Sequence, residues 1–199
     1  MDRDAARRTT ALRGDVGVTP VSRRRFLGLL AWGAAATLLP GVARAALTPN
    51  PVARRLSFHN LHTDERVDAC YWEGGTYVPS SLEQIDTVLR DHRTGEIRRM
   101  DPRLLDLVFA LTLRLETTAP VSVISGFRSA ATNELLHAAD PGRVAGRSLH
   151  LIGEAVDLRF ADRSLQQIRD AALSLRGGGV GYYPTSSFVH LDVGRIRRW

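Results

Sequence analysis

The stretch Ser148-Leu149-His150-Leu151-Ile152-Gly153-Glu154-Ala155-Val156-Asp157 has the form S-x-H-x-x-G-x-A-x-D, and the rest of the chain is read outward from it. An imidazole and a carboxylate stand seven residues apart, with Gly153 between them to let the backbone turn, so both can converge on one cation. His190 supplies a third ligand-type side chain. Two nitrogens and an anionic oxygen suit Zn²⁺. Three protein ligands leave one tetrahedral position for water, the composition of a catalytic rather than a structural site. His150, Asp157 and His190 are therefore the expected metal ligands. Ser148 has no base near it in the motif, so it is read as a hydrogen-bonding support for His150 and not as a nucleophile.

Around His190 the sequence Phe188-Val189-His190-Leu191-Asp192 alternates with period two. A strand with that pattern sends Phe188, His190 and Asp192 to one face and Val189, Leu191 and Val193 to the core. Asp192 can then serve as a general base for the attacking water, or orient His190 through a hydrogen bond; the sequence leaves both roles open. Arg128 follows a short β-branched run in Ser125-Gly126-Phe127-Arg128-Ser129. Its guanidinium suits a substrate carboxylate or a developing oxyanion, with a surface salt bridge as the plain alternative.

These blocks, together with Asn60-Leu61-His62-Thr63, Leu89-Arg90-Asp91-His92-Arg93-Thr94-Gly95 and Gly178-Gly179-Val180-Gly181-Tyr182-Tyr183-Pro184, resemble the zinc DD-peptidase family, the M15 clan, in its murein endopeptidase K branch. The resemblance runs from about residue 56 to Trp199. It implies a Hedgehog/DD-peptidase-like α+β fold, a mostly antiparallel sheet with packed helices. It also implies Zn²⁺ on His150, Asp157 and His190, and peptidoglycan stem peptides as substrate. Several members of the clan carry Glu three residues before the last His; here that position is Ser187, which cannot take a proton from water near neutral pH. His59, His62, His92 and His137 are expected outside the ligand set; hydrogen bonds to neighbours such as Asp64 and Asp91 account for His62 and His92, and His137 falls on an exposed-looking short helix.

The local patterns predict a strand pair at 56–61 and 67–72, joined by a polar turn at 62–65 and closed by Gly74-Gly75. Helices are predicted at 80–89 and, behind the Asp101 cap and Pro102, through Leu104, Leu105, Val108, Leu111 and Leu115. A central strand at 121–125, a brief helix at 132–139, a strand at 155–160, a helix capped by Asp162 or Ser164 and ending at Leu175, and closing strands at 180–183 and 188–193 complete the reading. The single Cys70 has no internal bridging partner and is read as a small buried apolar side chain.

Residues 1–45 read as a twin-arginine export signal. Ser22-Arg23-Arg24-Arg25-Phe26-Leu27 precedes an apolar run to Leu39, and Ala43-Arg44-Ala45 offers small residues for cleavage. Residues 46–55 are a short linker and 56–199 the peptidase domain. The apolar run is short of the ~20 residues a spanning helix needs, which favours cleavage, with no lasting membrane insertion afterwards, over the alternative of an uncleaved N-terminal anchor. The leader holds eight Arg and three Asp, a net of +5, so only +1 of the chain's +6 remains on residues 46–199. The high pI thus belongs to the leader and makes no case for nucleic acid.

The expected activity is a zinc-dependent murein endopeptidase of the periplasm or cell envelope, delivered by the twin-arginine machinery. A D,D-carboxypeptidase trimming terminal D-Ala and a non-catalytic peptidoglycan-binding domain are the alternatives. Replacing Arg23 and Arg24 together with Lys should trap an uncleaved precursor in the cytoplasm, because the address is read by a receptor and not by charge alone. Cell fractionation and blotting check this, and normal processing of the variant refutes it.

Overall fold

In the computed structural model, residues 53–140, 142 and 145–199 are described. The predicted leader at 1–45 and most of the linker lie outside them. Strand β1 (Ala53–Asn60) begins three residues before the expected start and pairs antiparallel with β2 (Arg66–Glu73), which pairs with the two-residue β3 (Thr76–Tyr77) across Gly74-Gly75. Helix α1 (Pro79–Val88) follows, then α2 (Pro102–Leu115), β4 (Val121–Ser125), α3 (Ala130–Ala139), a 3₁₀ turn (Leu149–Ile152), β5 (Ala155–Arg159), α4 (Leu165–Leu175), β6 (Gly179–Tyr183), β7 (Phe188–Asp192) and the short β8 (Arg197–Arg198).

The strands form one mixed sheet in the order β3-β2-β1-β4-β5-β7-β6-β8. β1 runs parallel to β4 and β6 parallel to β8; the other neighbours are antiparallel. One face of this sheet is apolar. Leu56 and Phe58, Ala69 and Tyr71, Val121 and Val123, Val156 and Leu158, and Val189 and Leu191 alternate along their strands and are all buried. They pack with Leu82 and Ile85 of α1, Leu104, Leu105, Val108 and Leu111 of α2, and Ile168 and Ala172 of α4. Cys70 departs from its expected place: with Ala69 and Tyr71 turned inward, the pleat puts Cys70 on the opposite, half-buried side.

Local capping by side chains explains where α2, α3 and α4 start. Asp101 accepts from the backbone N–H of Arg103, with Pro102 at the first helical position, as the sequence predicts. Of the two candidate caps for α4, Ser164 takes the role. Its hydroxyl accepts from Gln167 N, while the Gln167 side chain accepts from Ser164 N, so two otherwise orphaned donors are satisfied together. Helix α3 starts two residues earlier than predicted because Ser129 caps it.

Ser129 also meets Asp91, which is 2% exposed and accepts from Ser129 N at 2.9 Å, Ser129 Oγ at 2.7 Å and Arg93 N at 2.9 Å. Burial by itself pushes the Asp91 carboxyl upward. Hydrogen bonds from Thr132, Ser129 and Arg93 outweigh it and hold the group well below the usual carboxylate range. Because the folded-state value is depressed, the stabilisation is present above the unfolded value of ~3.9 and is lost as pH falls from there toward the folded value. Asp91→Asn should therefore destabilise the domain by about 1–3 kcal/mol at pH 7, with a smaller effect at pH 3. Chemical unfolding of both proteins at the two pH values checks this; an equal deficit at both contradicts it.

Candidate metal centre

The face of the sheet turned away from α1, α2 and α4 carries the polar side chains. β5 and β7 are antiparallel neighbours whose register sets Asp157 opposite His190. With Val156, Leu158, Val189 and Leu191 committed to the core, the pleat projects Asp157, His190 and Asp192 together to the other side, as the alternation around His190 predicts. The 3₁₀ turn ahead of β5 delivers His150. Ser148 caps this turn, its hydroxyl accepting from His150 N at 3.4 Å. Gly153 ends it at φ +74°, where a Cβ would also stand 2.5 Å from the Arg99 carbonyl oxygen, so only glycine lets the chain turn from His150 into β5.

The three side chains converge. His150 Nε2 lies 3.2 Å from Asp157 Oδ1 and 3.2 Å from His190 Nδ1, and His190 Nδ1 lies 2.8 Å from Asp157 Oδ1. Bonds of ~2.0–2.1 Å to a tetrahedral ion set neighbouring donors ~3.3 Å apart, so the spacing fits one Zn²⁺ with small adjustment. The outer nitrogens settle the tautomers. His150 Nδ1 is 2.6 Å from the Gly126 carbonyl, which can only accept, so Nδ1–H donates and, in the neutral ring, Nε2 keeps its lone pair. His190 Nε2 is 3.0 Å from Asp192 Oδ2, which leaves the Nδ1 lone pair facing inward. With both rings neutral, two lone pairs and a carboxylate oxygen then face one another, largely buried and at the wall of a cavity, an arrangement that suits a cation.

Electrostatics agree with that reading. Burial is the largest influence on His150 and lowers its pKa, keeping the ring neutral as a ligand must be. Burial would raise the Asp157 carboxyl, but attraction and hydrogen bonds from the His150 and His190 rings, which act when a ring carries a proton on its inward nitrogen, prevail and hold it below the usual range. For His190, burial lowers the pKa, and hydrogen bonds to Asp157 and Asp192 overcome that and raise it. A proton on His190 Nδ1 and a metal ion compete for the same place.

Arg128 is not at the surface; its side chain is 13% exposed, its Nη2 donates to Asp157 Oδ2, and its Nε donates to Ser125 Oγ at 2.8 Å. It holds the outer oxygen of Asp157 and leaves Oδ1 to the histidines, while still lining the adjoining cavity. Ser125 reaches this position through a bulge in β4. The register with β5 shifts between Val123 and Ser125, which re-aims the end of β4 toward Asp157. Gly126 lies against Leu89, where a Cβ would stand 2.3 Å from the Leu89 carbonyl oxygen; that close approach sets the Gly126 carbonyl on His150.

Asp192 is fully buried and its oxygens are taken. Oδ1 accepts from Gly179 N, Gly194 N and Arg197 Nη1, and Oδ2 accepts from Arg197 Nη2 at 2.7 Å and from His190 Nε2. Burial pushes its carboxyl up, and the bonds from His190, Arg197 and Gly194 hold it below the usual range. It sits behind His190, on the side away from Asp157. Of the two roles the sequence leaves open, this geometry favours orientation of His190 over proton abstraction.

Arg197 was not singled out in the sequence, and neither was Trp199, whose ring lies 5.2 Å from that of His190 and whose Nε1 donates to Tyr183 Oη at 2.6 Å. The remaining histidines stay outside the trio. His59 pairs with Asp64, His62 donates to the Ile124 carbonyl and stacks on His92 at 3.9 Å, and His137 lies on α3. Among the described residues only His150, Asp157 and His190 form a metal-type cluster. They open onto a cavity of about 550 Å³.

Residues 48–199 match the family model described as peptidoglycan L,D-endopeptidase MepK. The chain belongs to this family. Its curated relatives include the peptidoglycan L,D-endopeptidase MepK of Escherichia coli strain K12, 43% identical over 179 residues, which span 89% of this chain and 97% of the relative. The Shigella flexneri protein of the same name matches equally. The "probable peptidoglycan L,D-endopeptidase MepK" of Haemophilus influenzae is 37% identical over 180 residues, 89% of this chain and 95% of that protein.

Orientation of His190 by Asp192 and proton transfer by Asp192 carry distinct expectations for a zinc-bound site, the first of them a loss of metal affinity. Asp192→Asn should weaken zinc binding by roughly 10–100-fold, with turnover recovering when zinc is supplied in excess. Rate and zinc affinity measured on the same variant decide the matter; lost turnover at full zinc occupancy would assign Asp192 to proton transfer.

Proposed function

We propose that this chain is a peptidoglycan L,D-endopeptidase whose His150, Asp157 and His190 hold Zn²⁺. The observation that carries the reading is the convergence of two inward lone pairs and one carboxylate oxygen beside a cavity, in a chain whose relatives bear that activity in their names. Zn²⁺ in such a site supplies Lewis acidity that polarises a scissile carbonyl and makes water nucleophilic near neutral pH. The protein's own part is to fix that site. Gly126 and Asp192 each hold the outer nitrogen of one histidine, Arg128 holds the outer oxygen of Asp157, and the cavity receives the peptide. Arg128 also lines the cavity, where its positive charge is placed to stabilise negative charge developing on the carbonyl oxygen.

The Hedgehog/DD-peptidase-like fold and the mostly antiparallel sheet belong to the same proposal, as do twin-arginine export, the division into a 1–45 signal, a linker and a 56–199 domain, and action in the periplasm or cell envelope. The specific observation favouring a binding domain without turnover is the lack of an evident base. Ser187 occupies the position where clan members carry Glu, in a turn with φ +58°, and Asp192 is saturated. Intact ligand geometry weighs against that reading.

Purified protein should carry about one Zn²⁺ per chain, and His150→Ala or His190→Ala should lower that content without unfolding the domain. Elemental analysis showing unchanged zinc in both variants removes the assignment. Incubation with cross-linked sacculi, followed by muropeptide chromatography, should show cross-linked species converted to monomers by the native chain and not by His150→Ala. Unchanged muropeptides with the zinc-loaded native chain would leave the binding-domain reading.

A further inference from the structure

Two side chains on the cavity wall take no part in the chemistry above. Arg93 and Arg147 both line the cavity that holds His150, Asp157 and His190, and both are exposed. The other two arginines of that wall are committed, Arg128 to Asp157 and Arg197 to Asp192. Among the described residues, Arg93 and Arg147 make no ion pair. Among the described lining residues and the carboxylate behind Arg197, four arginines face three carboxylates, Asp140, Asp157 and Asp192, an excess of positive charge even before a metal ion is counted.

The loops that carry these two cations are built with care. Arg93 N donates to Asp91 Oδ1, and the other oxygen of this buried carboxylate takes both Ser129 donors, one residue beyond Arg128. On α3, the buried Asn133 donates from Nδ2 to the carbonyls of Ala145 at 3.3 Å and Gly146 at 3.4 Å, which holds the backbone just before Arg147. Both anchors are thus rooted in the segment 128–133 that also positions Asp157. Taking a carboxylate out of water is unfavourable unless its bonds are satisfied, as those of Asp91 are; the Asn133 amide uses its nitrogen on the 145–146 backbone while its buried Oδ1 has no partner among the described residues, and both contacts hold loops whose exposed tips are cationic.

We propose that Arg93 and Arg147 form a carboxylate-recognising rim, which grips a free carboxylate on the peptide whose scissile bond lies at the metal centre. The proposal rests on the peptidoglycan endopeptidase reading and deepens it by naming a feature the substrate must carry. A guanidinium presents a planar fork that matches a carboxylate with two parallel hydrogen bonds, so the rim gives register as well as attraction. Held there, the peptide backbone is oriented across Arg128 and the ligand trio. A peptide with the same bond but an amidated carboxyl lacks that hold.

The test uses the full chain, freed of metal with a chelator so that peptide is not consumed, and two labelled L,D-linked peptides that differ only in a free carboxylate or a carboxamide beside the scissile bond. Fluorescence anisotropy should show the acid bound about tenfold more tightly than the amide. The preference should shrink toward ~1 M salt, where the Debye length is ~3 Å. Arg93→Ala with Arg147→Ala should abolish the preference, and the paired Lys variant should keep part of it, with the unfolding midpoint unchanged in each. Equal binding of acid and amide by the native chain overturns the rim, and so does a preference that survives the double Ala variant. The two readings fail separately. Preferential binding without cleavage on zinc addition supports the rim and counts against the peptidase, whereas cleavage of both peptides at one kcat/KM, with no binding preference, counts against the rim and leaves the peptidase standing.

Discussion

Asp157 sets the terms for everything around it. A carboxylate that is 2% exposed has lost its water, and the protein must surround it with compensating charge and hydrogen-bond donors. Arg128 satisfies one oxygen; the other is turned toward two imidazoles whose facing nitrogens, when neutral, offer it nothing but lone pairs. The unmatched oxygen and the two lone pairs are a single problem, which a shared metal ion would solve and a proton on His190 Nδ1 solves in part. The surrounding structure can be understood as the apparatus that keeps these groups in that state instead of letting a ring flip or a side chain swing away.

That apparatus is arranged in tiers. The sheet register fixes Asp157 against His190, the bulge in β4 brings Ser125 and the following loop alongside, and the contact of Gly126 with Leu89 sets the carbonyl that holds His150. Asp192 does for His190 what the Gly126 carbonyl does for His150, and is itself immobilised by the fork of Arg197 and two backbone N–H groups. Each tier consists of buried polar groups whose partners are present, so rigidity here comes from satisfied hydrogen bonds as much as from packing.

How far the sequence reveals this depends on distance along the chain. The ligand string was legible because Ser148, His150, Gly153 and Asp157 act within ten residues, and His190 because a strand's period of two tells which side chains share a face. The caps at Asp101 and Ser164 are equally local. What stayed hidden involves partners brought together only by the fold. The Gly126 carbonyl is a backbone atom and leaves no compositional mark. Arg197 sits in a two-residue strand too short to show a pattern, although its spacing of five from Asp192 was there to be noticed. The bulge between Val123 and Ser125 cannot be seen in a β-branched run, and Cys70 was misplaced because its apolar neighbours on both sides gave no parity until Tyr71 was known to face inward. Arg128 showed its importance but not its partner, since the sequence separates it from Asp157 by a helix and a loop.

The closing edge of the sheet carries a consequence for local stability. β8 is two residues long and is held beside β6 by few backbone bonds, among them Tyr182 N to the Trp199 carbonyl and Trp199 N to the Val180 carbonyl. Short edge segments open at a small fraction of the global unfolding free energy. Yet this segment brings Arg197 to Asp192 and Trp199 to His190, so each opening event undoes the support of a ligand. Metal affinity of the trio, were an ion bound, and the exchange protection of residues 197–199 would therefore be two measures of one equilibrium, and occupancy of the adjacent trio would be felt as quietness at the edge.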